Sequence, residues 1–242
     1  MGEQLEEFVS RLIALSTEGP GGVRRLPPER ELGEALDLSR GALREHLSQL
    51  DSLGVLRRRQ GHGSYLDTPN VEFIQTYFML MRQLGHLGDD EFSEARAMLE
   101  EVMAAAAASR VRDVDVEELR DIVGVMVAHT KAGDAQRALQ ADLDFHSRIY
   151  EIVDNPIFNM LNQGFAHVLR DNMQLRRDLA MSAETPAADG SFNTDTVHYE
   201  IVNALAARDA DAARSAMRRH FSDFSLLALA AQIASNGHQP HT

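Results

Sequence analysis

The sequence of 242 residues predicts a mainly α-helical protein, in which an N-terminal winged helix-turn-helix is followed by an antiparallel bundle of about seven helices. Short helical signals and a strand pair occupy the chain up to about Asp67. The remainder predicts one helix after another, because its apolar residues recur about every 3.6 residues. A hydrophobic content of 44% is sufficient for at least one sizeable core.

The composition excludes several classes of protein. Cysteine is absent, so disulfides and thiolate metal sites cannot form. No stretch approaches the roughly 18 consecutive apolar residues of a membrane helix, so we expect no membrane partner. The first residues, MGEQLEEFVSRL, are acidic and amphipathic, unlike a secretion signal. We therefore expect a cytoplasmic protein.

The net charge of −13 is unevenly distributed along the chain. Residues 69–242 contain 15 basic and 26 acidic side chains, whereas residues 24–63 contain 8 arginines against 6 acids. The acidity therefore belongs mainly to the C-terminal region, and the N-terminal region retains a local basic surface that suits a nucleic acid.

Two short helices are predicted before the strand pair. Pro27 and Pro28 favour the start of the first, whose first turn is acidic as the helix dipole prefers, and which ends near Leu36. Ser39 can cap the second helix, which runs to about Ser52 with leucines on its inner face. Two helices joined by so short a turn indicate a helix-turn-helix.

Arg40 and Arg44 lie one turn apart on the exposed face of the second helix, at its start. Cations there oppose the helix dipole at a cost of about 0.3 to 1 kcal/mol each, so stability does not explain them. DNA readout does, because the start of a recognition helix enters the major groove. The following VLRRRQGHGSYL predicts a two-stranded wing, whose Arg58 and neighbouring arginines can bind phosphate. The alternative is that these arginines are simply solvated charges.

Seven helices are predicted in the C-terminal region. Their approximate ranges are 71–86, 92–111, 115–131, 134–154, 157–181, 195–207 and 209–235. Most begin near Asp, Ser or Thr, and Pro156 cannot continue the fourth. Helices that follow one another without strands predict a bundle.

Polar side chains interrupt three of the apolar helix faces. Asp142 and His146, four residues apart, share the leucine-lined face of the fourth helix, and His198 and His220 each lie on the apolar face of a later helix. A buried polar group without a partner costs about 1 to 3 kcal/mol, whereas one divalent cation would satisfy all four. This ligand set suits zinc, nickel, manganese or iron. A polar core satisfied by hydrogen bonds is the alternative.

Arg96 is aligned with Phe92, Leu99 and Met103 on the apolar side of its helix, so its guanidinium needs an anion. Glu100, four residues on, can supply it as an ordinary ion pair. The other interpretation is a small-molecule carboxylate bound between Arg96 and the metal, because arginine binds planar carboxylates through two hydrogen bonds.

Over residues 24–66, the motifs LPPEREL, LSRGALREHLSQLDSLGVL and GHG resemble the winged-helix domain of the GntR superfamily of bacterial transcription regulators. The resemblance implies that six residues lie at the DNA: Arg30, Ser39, Arg40, Arg44, Gly61 and His62. Two positions depart from the family pattern, which usually has a bulkier residue in place of Gly41 and an alanine in place of His46.

Residues 77–235 resemble the FCD effector domain of the FadR subfamily, through EARAMLE, DLDFHSRIYEIVDNP and VHYEIVNALAARDADAARSAMRRHF. The resemblance implies an antiparallel helical bundle with an organic acid as effector. It also implies a divalent metal held by Asp142, His146, His198 and His220. We expect three segments: a DNA-binding domain at 1–68, a linker at 69–76, and an effector-binding and dimerisation domain at 77–242.

These observations lead us to expect a transcriptional repressor, not an enzyme, that binds a double-stranded DNA operator as a homodimer. Its signal would be a small organic acid bound beside zinc, nickel or manganese. A direct metal sensor is the first alternative, in which operator affinity would follow metal concentration alone. A metal-dependent enzyme acting on a small organic acid is the second, although the sequence shows no evident general base or nucleophile.

Overall fold

The computed structural model describes residues 2–19, 23–59, 63–66 and 71–236. The chain divides into two compact units, Met1–Tyr77 and Phe78–Thr242. The boundary lies inside the helix Glu72–Gln83, which begins within the segment expected to be a linker.

The described part of the N-terminal unit combines three helices with a small sheet. The helices are α1 (Gly2–Leu15), α2 (Glu29–Leu36) and α3 (Arg40–Ser52). The strands are β1 (Thr17–Glu18), β2 (Arg24–Arg25), β3 (Leu56–Arg59) and β4 (Gly63–Leu66). All strand pairs are antiparallel, in the order β1-β2-β4-β3. Helices α2 and α3 and strands β3 and β4 are the predicted helix-turn-helix and wing.

Local chemistry fixes the turn between α2 and α3. Helix α2 ends at Leu36, and the following Asp37 adopts a left-handed conformation (φ 55°) that aspartate tolerates better than most residues. Helix α3 then begins where predicted, because the Ser39 hydroxyl accepts a hydrogen bond from the backbone N–H of Ala42 at 3.2 Å. The two helices pack with α1 and β3 around a fully apolar core, which contains Phe8, Leu12, Leu26, Leu32, Leu36, Leu43, Leu47, Leu50 and Leu56.

The hairpin of β1 and β2 is not predicted by the sequence. Thr17 pairs with Arg25 and Glu18 with Arg24, and β2 pairs in turn with β4. Each of these strands has two polar residues, so no alternation of apolar and polar side chains marks them. The wing is therefore part of a four-stranded sheet.

The C-terminal unit is helical throughout its described residues. After α4 (Glu72–Gln83), the helices are α5 (Asp89–Ala108), α6 (Asp113–Lys131), α7 (Ala135–Val153), α8 (Pro156–Ala183), α9 (Asn193–Thr196), α10 (His198–Ala206) and α11 (Ala210–Asn236). The predicted fold class is confirmed. The four-residue α9 is an addition, because the sequence around it is rich in helix breakers and predicts a loop.

Helix α7 runs through the middle of the bundle, where it packs against α5, α6 and α8. Its start is capped by Asp134, whose carboxylate accepts from the backbone N–H of Arg137 at 3.1 Å. Its apolar residues Phe145, Ile149 and Tyr150 are at most 1% exposed. Side chains on the same face of α7 are therefore directed into the core, whether they are apolar or polar.

None of the described helices combines the length and apolar character needed to cross a membrane.

Candidate metal centre and DNA-binding surface

Four polar side chains from three helices lie close together inside the C-terminal unit. Asp142 and His146 are one turn apart on α7, His198 begins α10, and His220 lies within α11. Their exposed fractions are 8%, 1%, 0% and 6%, respectively. The structure thus brings together the four residues that the sequence singled out.

The three imidazoles form a compact group. Their ring centroids are 4.4 Å apart for His198 and His220, 5.2 Å for His146 and His220, and 5.6 Å for His146 and His198. One ring nitrogen from each lies within 4.8 Å of those of the other two, and Asp142 Oδ1 is 3.2 Å from His198 Nε2. Two nitrogens bound to one ion at about 2.1 Å are at most about 4.2 Å apart, so small side-chain shifts suffice for shared coordination.

Two of the imidazoles are oriented by a second partner. His146 Nδ1 hydrogen-bonds to the carboxylate of Glu100, and His198 Nδ1 donates to the backbone oxygen of Asp195 at 2.8 Å. A histidine that carries its proton on Nδ1 presents the lone pair of Nε2, as metal-binding histidines commonly do. His146 Nε2 is buried and has no hydrogen-bond partner within the described residues. A cation would satisfy this atom, so the residues fit a metal.

The electrostatic environment favours the protonation states that bind metals. Burial by itself would raise the pKa of Asp142, but its neighbours His198, His146 and Arg177 lower it well below its ordinary value. Burial, followed by the close approach of the His198 and His146 rings, lowers the pKa of His220 well below its ordinary value. Asp142 is therefore ionised at neutral pH and His220 is neutral.

Arg96 is buried beside this group and is paired with Glu100, Nε to Oε1, at 2.6 Å. The ordinary ion pair considered from the sequence is therefore present. The guanidinium also lies 3.1 Å from the sulfur of Met173 and 5.4 Å from the ring centroid of Phe221. Although burial opposes the charge of Arg96, Glu100 raises its pKa, so it remains a cation. Glu100 thus joins Arg96 to His146.

Two cavities lie next to the four polar residues. The inner one has a volume of about 30 Å³, and its lining includes Arg96, Asp142 and His146. The outer one has a volume of about 250 Å³ and shares Arg96, Met173 and Phe221 with the inner one. Arg96 therefore faces both the polar group and a space that admits a small molecule.

The sequence reasoning missed Arg177 of α8, which is 2% exposed. Its NH2 group donates to Thr130 Oγ1 at 3.0 Å and to the carboxylate of Asp195. Its NH1 group lies 3.9 Å from Asp142 Oδ1. The signal was available, because Arg177 follows the buried Met173 by one helical turn, just as Arg96 follows Phe92. Arg177 connects α8 to the segment that positions His198.

Five of the DNA-contact residues expected from the sequence lie on the surface of the described part of the N-terminal unit: Arg30, Ser39, Arg40, Arg44 and Arg58. Arg40 and Arg44 are both exposed on the first turns of α3. Arg44 is bonded to Glu29 at 3.1 Å, and Arg58 approaches the same carboxylate at 3.5 Å. Arg30 is paired with a glutamate of its own helix at 3.1 Å. Gly61 and His62 lie outside the described residues.

The structure explains one of the two departures from the family pattern, the histidine at position 46. A Cβ added at Gly41 would have only the Ser39 hydroxyl nearby, at 3.9 Å, so the backbone does not require glycine there. The ring of His46 packs against Phe8 with centroids 4.8 Å apart, so this side chain belongs to the edge of the core. The Ser39 hydroxyl is engaged in capping α3, as described above.

Known proteins resemble the chain over most of its length. An Escherichia coli protein named as an L-lactate dehydrogenase operon regulatory protein is 31% identical over 90% of this chain and 83% of its own. The transcriptional regulator LutR of Bacillus subtilis is 25% identical over 82% of this chain and 89% of its own. A solved structure of a Streptococcus agalactiae GntR protein shares the fold, with a TM-score of 0.61 at 24% identity, over 90% of this chain and 97% of that one.

Two family models account for the two units. The model of the FCD domain matches residues 91–223, and the model of the bacterial regulatory proteins of the gntR family matches residues 3–66. The matched families are transcription regulators and not enzymes. The chain therefore belongs to the GntR family of bacterial transcription regulators and carries an FCD effector domain of the FadR type.

Proposed function

We propose that this GntR-family regulator holds a divalent metal ion in its C-terminal unit and binds a small carboxylic acid beside it, which lowers its affinity for an operator. The observation that carries the proposal is the buried group of Asp142, His146, His198 and His220. In that group, His146 Nε2 has no hydrogen-bond partner among the described residues. A buried nitrogen of this kind is costly in a metal-free core.

The donor set determines which metals suit the site. Three imidazole nitrogens and one carboxylate oxygen, without thiolates, favour zinc, nickel or manganese. Asp142 and His146 supply the pair of ligands from one helix turn, and Glu100 and Asp195 orient the imidazoles behind them. When bound, the cation supplies a positive charge that attracts an anionic effector.

Arg96 and the adjoining cavities support a carboxylate as the effector. The guanidinium uses Nε for Glu100, and Arg96 lines both cavities. One similar protein is named for the L-lactate dehydrogenase operon, which makes L-lactate the first acid to test. Its carboxylate would bind between Arg96 and the metal.

The regulator would act as a repressor and as a homodimer. Two recognition helices, one from each chain, would then contact two half-sites of a near-palindromic operator. Effector binding would shift the population of chains away from the DNA-binding arrangement. Sedimentation would test the dimer, which should have twice the chain mass of 26.9 kDa.

A titration of operator binding tests the proposal. The probe is a fluorescent operator duplex, obtained by selection from random sequences, and L-lactate is added to zinc-loaded protein and to chelator-treated protein. We expect L-lactate to weaken binding at least about tenfold with metal and not without it, which corresponds to about 1.4 kcal/mol of coupling. Weakening by zinc alone, without response to any acid, would favour the direct metal sensor.

Three variants separate the roles of the residues. His220→Ala should lose metal and effector response together. Arg96→Ala should retain metal and lose the response to the acid. His167→Ala removes an exposed histidine of α8 and is the matched control, with wild-type behaviour in both assays. A full effector response in the Arg96 variant would contradict the carboxylate site.

A further inference from the structure

Arg177 is a buried arginine whose guanidinium is only partly satisfied by the described residues. Its NH2 group donates to Thr130 Oγ1 at 3.0 Å and to the carboxylate of Asp195, and its NH1 group lies 3.9 Å from Asp142 Oδ1. The third nitrogen, Nε, is buried and has no hydrogen-bond partner within the described residues. A buried N–H donor without an acceptor is costly, so this atom requires an explanation.

The proposed metal ion accounts for another buried atom without a partner, but it does not account for Arg177 Nε. His146 Nε2 can offer a lone pair to a cation. A guanidinium donates hydrogen bonds only, and its positive charge repels a cation. The group that would satisfy Arg177 Nε is therefore an oxygen that accepts a hydrogen bond.

The inner cavity beside the proposed metal ligands is lined in part by Arg177, Arg96 and Asp142. Its volume is about 30 Å³, and a water-sized atom needs roughly 10 to 15 Å³. The cavity therefore has room for an ion and about one further atom. Arg96 also lines the outer cavity of about 250 Å³. An acid whose carboxylate binds at Arg96 would thus direct one atom towards Arg177 and leave the remainder in the outer cavity.

We propose that Arg177 is a specificity-determining residue of the effector site, and that it selects carboxylic acids with an oxygen on C2, namely 2-hydroxy and 2-oxo acids. The inference rests on the proposed function, in which the carboxylate of the effector binds at Arg96. Because C2 is the carbon next to the carboxylate, an oxygen on C2 lies close to that anchor. Hydroxyl and keto oxygens both accept hydrogen bonds, so either can satisfy Arg177 Nε. An acid without this oxygen would leave the donor buried and unpaired, which disfavours its binding.

A series of acids tests the proposal on the zinc-loaded full chain, with isothermal titration calorimetry in the absence of DNA. The acids are L-lactate, pyruvate, 3-hydroxypropanoate and propanoate, which share a carboxylate and a three-carbon chain. We expect L-lactate and pyruvate to bind at least about tenfold more tightly than the other two, because only they have an oxygen on C2. Equal affinity of the wild-type chain for all four acids would overturn the inference.

Two variants separate the Nε donor of Arg177 from its charge. Arg177→Lys keeps a positive charge beside Asp195 but has a methylene at the chain position of Nε, so the preference for L-lactate over propanoate should fall to within about twofold. Arg177→Gln/Asp195→Asn removes both charges of the ion pair but keeps an N–H donor at that chain position. A preference of at least about fivefold should therefore remain. A merely structural role would instead lower the affinity for all four acids alike.

Arg170→Lys is the matched control, because Arg170 is an exposed residue of the same helix and is bonded to Gln140 at 2.7 Å. It should keep the wild-type order of affinities. An undiminished preference for L-lactate in Arg177→Lys would overturn the inference and leave the carboxylate site at Arg96 intact. Loss of the preference in Arg177→Gln/Asp195→Asn would also overturn it, because discrimination would then follow the charge. Binding of no acid by the zinc-loaded wild-type chain would instead contradict the proposed function.

Discussion

The two units of the protein place their candidate functional side chains in opposite environments. In the N-terminal unit, the core is apolar and Arg30 and Arg44 are about 70% exposed, at 69% and 71%. In the C-terminal unit, the four proposed metal ligands are at most 8% exposed. A surface that binds DNA can therefore change without affecting folding, whereas a buried polar group contributes to function and to stability together.

The largest expected effect tests the separation of function from folding in the N-terminal unit. Arg40→Ala/Arg44→Ala should weaken operator binding about a thousandfold, or about 4 kcal/mol, because each arginine that contacts a base contributes about 1 to 3 kcal/mol. The melting temperature should stay within about 1 °C, because exposed ion pairs contribute little. Anisotropy and calorimetry measure the two quantities. Wild-type affinity in the double variant would remove α3 from the DNA-binding surface.

The next effect concerns Arg177, a buried arginine of the C-terminal unit. Arg177→Met removes the partner of Asp195 and should cost about 3 kcal/mol, because a buried carboxylate is left without its partner. In a domain of this size the melting temperature should fall by about 6 to 12 °C. The control is the neighbouring Arg176, which is bonded to Ser225 nearer the surface. Arg176→Met should therefore cost under about 1 kcal/mol. Equal shifts for the two variants would contradict the structural role of Arg177.

A third effect tests whether Asp115, a buried carboxylate away from the proposed metal centre, also contributes to stability. The hydrogen bond from Arg112 lowers the pKa of Asp115 from 3.8 to about 2, and the side chain is 3% exposed. The folded state therefore favours the ionised form, and this stabilisation is present above about pH 4 and lost as the pH falls through about 2. Asp115→Asn should cost about 2 kcal/mol at neutral pH.

The same variant should cost progressively less in acid, which urea titrations at several pH values would show. Asp113→Asn is the control, because its carboxylate is 90% exposed and pairs with an exposed Arg208. It should change the free energy of unfolding by less than about 0.5 kcal/mol. A cost for Asp115→Asn that does not depend on pH would contradict the assigned cause.

The smallest effect concerns Ser39, a DNA-contact candidate that also caps a helix. Ser39→Ala removes the cap of α3 and should cost about 1 kcal/mol. Ser39→Asp should restore stability, because aspartate also caps helices, but should weaken DNA binding by placing a negative charge at the duplex. Heat unfolding and anisotropy on both variants would distinguish the two roles. Retained DNA affinity in Ser39→Asp would place Ser39 away from the DNA.

Most of the fold could be predicted because its signals are local. Helix α3 begins at the serine cap that the sequence predicts, and Pro156, which the sequence places after the end of the fourth helix, lies at the start of α8. The hairpin of β1 and β2 could not be predicted, because two-residue polar strands are held by pairing with β4 and carry no pattern of their own. Partners distant in the chain supply that information.

The candidate site also has features that local sequence predicts and features that depend on distant partners. The inward direction of Asp142 and His146 follows from their spacing on α7, since side chains four residues apart share a helix face. Periodicity indicates the face of a side chain but not its partner. The pairing of His146 with Glu100 and of Arg177 with Asp195 depends on how the helices pack, so neither could be read from the sequence.

Metal analysis of the purified protein tests the central claim most directly. After incubation with zinc and removal of unbound ion, elemental analysis should find about one equivalent per wild-type chain and none in His220→Ala, with His167→Ala at the wild-type value. Chelation of the wild-type chain should lower its melting temperature by several degrees, because a ligand that binds only the folded state stabilises it. Equal metal content in wild-type and His220→Ala protein, or none in either, would contradict a metal centre formed by the four buried residues.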